Sequence, residues 1–149
     1  MRIAIFYILF VSCTAYALWR GGAPERAVAG SYFSIWLLDQ ALHFVYASDF
    51  TELDPGHLVI DLLIWVAFFT VAMRAKRFWP LWLASLQTIA VVAHSAKFLD
   101  VTIAPRAYLT MQIASSFPVL ILLAFGTYNH QKRLKENGFD PSWRSKSLK

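Results

Sequence analysis

Residues 58–73, LVIDLLIWVAFFTVAM, carry one ionisable side chain, Asp61, in an otherwise unbroken apolar run. Counted from Leu62, the run covers only about 18 Å at 1.5 Å per residue, well short of a hydrocarbon core about 30 Å thick. Counted from Leu58, it comes within a turn of the roughly 17–25 residues that cross a bilayer. The run works as a span only with Asp61 inside the apolar zone. That reading decides the fold class and points to where chemistry would sit.

Four further apolar runs, at 3–19, 28–48, 79–96 and 107–128, have similar length. Together the five predict an all-α fold, an integral membrane helical bundle with five transmembrane helices in a single domain, 1–128, followed by a basic cytoplasmic tail at 129–149. Composition agrees. The chain is 58% hydrophobic and 15% charged, against about 45–50% and 25% in soluble domains. The charges gather between the apolar runs and in the tail, as expected when water reaches only loops and ends. Residues 137–149 mix Gly138, Pro141, serines and basic residues, and read as a disordered or surface-hugging stretch drawn to anionic lipid. Its charge fits a topology signal better than nucleic-acid binding.

Lysine and arginine counts orient the bundle, because basic residues stay on the cytoplasmic side of short loops. Eleven of the fourteen, from Arg20 and Arg26 through Arg74, Lys76 and Arg77 to the tail, share one side; Arg2, Lys97 and Arg106 occupy the other. The amino terminus is therefore expected outside and the carboxy terminus in the cytoplasm, with acidic Asp49, Glu52 and Asp54 facing outward. Trp19, Trp79, Trp82 and Tyr128 would mark the inner interface, Tyr46 and Tyr108 the outer. Ala15-Tyr16-Ala17, near the end of the first run, resembles a signal-peptide cleavage site. Cleavage would leave four spans and reverse the charge rule, so the five-span arrangement is preferred. Ser12-Cys13 is a weak match to a lipoprotein acylation site, since Phe10 is bulky where a small residue is wanted. With one cysteine, Cys13, the chain forms no internal disulfide.

Ionisable groups inside a membrane cost about 2.5–3.5 kcal/mol each on insertion scales, so they turn inward and pair. Asp39 and His43 lie about 40° apart on one helix face. Gln87 and His94 fall within about 20°, with Lys97 a turn later. Gln112 shares a face with Ser115 and Ser116, and Asp61 stands alone on the third helix with His57 at its mouth. Depths below the outer ends come to about 7 Å for His43, 6 Å for Asp61, 5 Å for His94, 9 Å for Gln112 and 13 Å for Asp39. These groups form one site only if their faces converge.

Three functions fit. The first is a site opening outward, made of Asp39, His43, Asp61 and His94 with Gln87, Gln112 and Lys97 in support, that handles a proton or a divalent cation; imidazole and carboxylate suit both, with His43, Asp61 and His94 as metal candidates. The second is a non-catalytic accessory or assembly subunit whose polar residues lock helices together, with other membrane subunits or a second copy as partners besides the lipid bilayer. The third is a redox protein in which His43 and His94 hold a b-type haem (haem b) between them. Each residue also has a plain structural reading: interfacial histidines, a neutralised Asp39–His43 pair, serines that pack. Asp61 resists it most, since a lone carboxylate needs a cation, a proton or a donor. Pro118 lies within the fifth run, where a bend is expected, and Pro80 opens the fourth. The sequence holds no glycine-rich phosphate loop, nucleophile elbow or paired-cysteine metal motif.

Arg77-Phe78-Trp79-Pro80-Leu81-Trp82, with Gln87 and His94 downstream and Ser116-Phe117-Pro118-Val119-Leu120 in the last run, resembles a set of small multi-span bacterial inner-membrane proteins of no known activity. The resemblance runs from Trp19 to Tyr128 and implies a cell inner membrane location and a helical fold. It supplies no activity.

Overall fold

Prolines fix where most of the helices begin. In the computed structural model, which describes residues 2–45, 55–99 and 105–144, α1 spans Arg2–Arg20, α2 Ala23–Val45, α3 Pro55–Arg74, α4 Trp79–Leu99 and α5 Pro105–Asn137. Pro24, Pro55, Pro80 and Pro105 all fall in a first turn, where the missing N–H has no helical partner to lose. At the other ends, Gly21 closes α1 by donating its N–H to the Ala17 carbonyl at 2.9 Å. Gly138, at φ 67°, closes α5 in the left-handed conformation that glycine adopts without strain.

The fold is all-α, five helices with no strand among the described residues. The helices run alternately up and down in a ring: α1 packs on α2, α2 on α3, α3 on α4, α4 on α5 and α5 back on α1, while α2 also touches α5 across the middle. Phe68, Leu83, Leu123, Val28 and Val119 fill the centre, fully or almost fully buried. A chain of rings runs through the middle of the bundle, from Phe117 to Phe6, Phe10, Tyr32 and Phe68, with centroids 5.4–6.1 Å apart. Trp65 of α3 donates to Thr88 of α4 at 2.9 Å.

Large apolar side chains stand on the exterior, and several ionisable ones are buried. Ile8, Val11, Val66, Val92, Ile121 and Phe125 all present half or more of their surface outward, while Glu25, Gln87, His94, Thr127 and His130 are buried. Among the described residues, Gly56–Arg74 is long and apolar enough to cross a membrane, and Ala4–Arg20 is a shorter apolar helix.

Three expectations change. The fifth helix does not stop at Tyr128; it continues through Pro118 to Asn137, 33 residues in all, or about 50 Å of rise. Residues 129–137 therefore belong to α5. The segment after it is fastened, not loose: Lys76 N donates to Ser142 O at 3.2 Å and Arg144 N to Arg74 O at 2.9 Å, pairing Ala75 with Trp143. Residues 145–149 lie outside the described residues. Trp79 also departs from the interfacial position expected of it. It is 7% exposed because Gly126 of α5, having no side chain, lets the indole lie directly on its backbone, whereas Trp19, Trp82 and Tyr128 are exposed.

Candidate functional site

Helices α2 to α5 turn polar groups toward one cavity of about 190 Å³ at the end away from the carboxy-terminal segment, lined by Tyr32, Trp36, Asp39, His57, Asp61, Gln87 and Ser116 among others. Convergence, which the sequence left open, holds for part of the set. His94 Nε2 lies 2.8 Å from Asp61 Oδ2, and Gln87 Nε2 donates to Asp61 Oδ1 at 2.8 Å. The lone carboxylate of α3 thus has a partner on each oxygen, both from α4. They reach it because Gln87 and His94 sit seven residues apart, two turns on one face. His94 and Gln87 are about 95% buried, and the Asp61 side chain is 19% exposed, on the cavity side of the pair.

Asp39 and His57 form a second pair nearer the mouth, with His57 Nε2 3.8 Å from Asp39 Oδ1. At that distance the attraction is electrostatic and no direct hydrogen bond is made. His57, placed by the sequence at the mouth of the third span, lies in the first turn of α3, which Pro55 begins two residues before it. Tyr32 and Trp36 form the apolar wall and also belong to the ring layer that floors the cavity. The side chains of His43, Lys97, Gln112 and Ser115 lie outside the described residues, as do Tyr46 and Tyr108.

The arrangement limits the chemistry. Among the described residues no three His, Cys, Asp or Glu side chains converge to hold a metal ion. His94 Nε2, the nitrogen that an axial haem ligand commonly offers, is taken by Asp61. The described residues form a short imidazole–carboxylate–amide chain, with 2.8 Å between His94 Nε2 and Asp61 Oδ2, inside the range for direct proton transfer.

A second polar group, not foreseen from the sequence, sits at the basic end. Asp140 accepts from Arg133 Nε at 3.0 Å and lies 2.6 Å from His130 Nδ1 and 2.5 Å from Arg77 Nη2, with its own side chain only 3% exposed. Burial alone would raise the Asp140 pKa; the hydrogen bonds from Arg133 and His130 and the charges of Arg77 and Arg133 outweigh it and hold the carboxyl below its ordinary value. Close by, a side-chain carbon at Gly22 would stand 2.8 Å from His130 Cε1 and 3.0 Å from Glu25 Oε2, so both groups crowd the same glycine. Glu25 is fully buried and neither of its carboxylate oxygens has a hydrogen-bond partner. One signal was present in the sequence: Glu25, Tyr32 and Asp39 repeat every seven residues, which puts them on one face of α2. Asp140 gave none, since only the fold brings it to Arg77.

Comparison with known protein families, curated proteins and solved structures finds no match for this chain.

Proposed function

We propose that this chain is a five-span protein of the bacterial inner membrane, amino terminus outside and carboxy terminus in the cytoplasm, that takes up and releases a proton at an Asp61–His94–Gln87 site opening to the outer face. The membrane part rests on the apolar side chains outside and the buried ionisable ones inside, and on the sequence bias that assigns eleven of the fourteen basic residues to one side. The site part rests on one observation, the 2.8 Å contact between His94 and Asp61 beside a cavity that a second His–Asp pair guards. Gln87 holds Asp61 Oδ1 in place whichever partner carries the proton. A divalent cation has less support, because nitrogen donors already take both Asp61 oxygens.

The test is proton flux into liposomes holding the purified full chain and a trapped pH-sensitive dye. Wild type is expected to dissipate an imposed pH gradient, with Asp61→Asn and His94→Gln each reducing the rate at least tenfold; unchanged flux in both would end the reading. The accessory-subunit reading draws on the same contacts, since a fully satisfied carboxylate also locks α3 to α4. It predicts that both substitutions lower thermal stability while flux stays at the protein-free background in every variant.

A further inference from the structure

We infer that the groove between α1 and α5 at the basic end is a binding site for the phosphodiester headgroup of an anionic phospholipid, an inference that rests on the membrane reading above. A hollow of about 440 Å³ lies there, lined by Tyr16 and Arg20 of α1 and Tyr128, Gln131, Lys132 and Lys135 of α5. Three cations around one hollow make an anion site. Its acidic neighbour is weak competition: Glu136 lies 3.9 Å from Lys132, both more than half exposed, a kind of pair worth little in solvent.

The order of residues along the two helices identifies the anion. On α5, Ile121, Phe125, Tyr128, Lys132 and Lys135 follow at spacings of four, three, four and three, one continuous outward face. On α1, Leu9, Cys13, Tyr16 and Arg20 run in the same sense. Both faces go from aliphatic or aromatic through tyrosine to cation toward the basic end. That is the polarity sequence of a phospholipid, with acyl chain, ester region and phosphate in order. A nucleic acid or an acidic peptide would match the cations but leave the apolar rows below them uncovered. The floor is fixed: Gln131 Nε2 donates to the Arg20 carbonyl, tying α5 to the last turn of α1, so the groove does not depend on lipid to form.

Purified full-length protein in detergent, titrated with dioleoyl-phosphatidylglycerol or dioleoyl-phosphatidylcholine and read by native mass spectrometry, tests this. Wild type is expected to prefer the anionic lipid. Each neutralised cation is expected to weaken that binding about fivefold, and Arg20→Gln/Lys132→Gln/Lys135→Gln on the order of a hundredfold. Arg74→Gln/Lys76→Gln/Arg144→Gln removes the same charge from exposed positions at the same end and is expected to leave it unchanged. Equal loss in the two triple variants, no preference in wild type, or equal competition by inorganic phosphate would overturn the inference while leaving the five-span reading intact. Recovery of wild type from the soluble fraction without detergent would overturn both.

Discussion

At the scale of single residues, satisfied and unsatisfied polar groups mark the two ends of the bundle differently. Asp61 has a nitrogen partner on each oxygen, so removing Gln87 strands a part-buried polar atom. Gln87→Leu is expected to cost about 1–3 kcal/mol, read as a lower unfolding midpoint in detergent. Gly126 is a packing requirement. An added Cβ would come within 2.6 Å of the Trp79 indole, and Trp79 is itself buried in the core. Gly126→Val is expected to destabilise by about 1–3 kcal/mol through overpacking. The paired change Trp79→Leu/Gly126→Val should recover part of the loss in the same melt.

At the scale of elements, the segment after α5 acts as a strap over the α3–α4 turn. Its anchor is Asp140, buried among Arg77, His130 and Arg133. Breaking a buried ion pair by removing one partner costs about 3–5 kcal/mol, and Asp140→Asn leaves two guanidinium groups facing a neutral amide. The expected outcome is a cost near the lower end of that range and faster tryptic cleavage at Arg144 than in the wild type, where the Arg144 to Arg74 hydrogen bond ties this residue down. The pH dependence follows in sign. The Asp140 pKa is lower folded than unfolded, so its stabilisation is complete above the ordinary carboxylate range and is lost as pH falls through the lowered folded value. Protection at Arg144 should therefore be flat from neutral pH down to about 5 and decline only in stronger acid, measured by limited proteolysis with a protease active across that range on aliquots at each pH.

At the scale of the whole molecule, the two polar groups are separated by the ring layer of Phe10, Tyr32, Phe68 and Phe117. Asp61 and His94 lie on one side of it; Glu25 and His130 lie on the other. Opposite ends of the bundle thus hold ionisable groups with a largely apolar layer between them. For the proposed orientation, a reporter active only in the cytoplasm is expected to function at the carboxy terminus and fail at residue 50, within the acidic loop. The opposite result would reverse the topology and move the Asp61 cavity to the inner face.

The linear sequence determined the helical class, the five apolar runs and the separation of charge, because hydrophobic length and basic bias are local quantities that need no partner to be read. It also brought Gln87 and His94 to one face of α4, since helical periodicity is local too. It did not tell that this face meets Asp61, that His57 meets Asp39, that Trp79 lies on Gly126, or that Asp140 returns to Arg77 across more than sixty residues of chain. Those pairings depend on which helix lies beside which and at what rotation. Packing of the whole ring decides that, so only the tertiary structure could supply them.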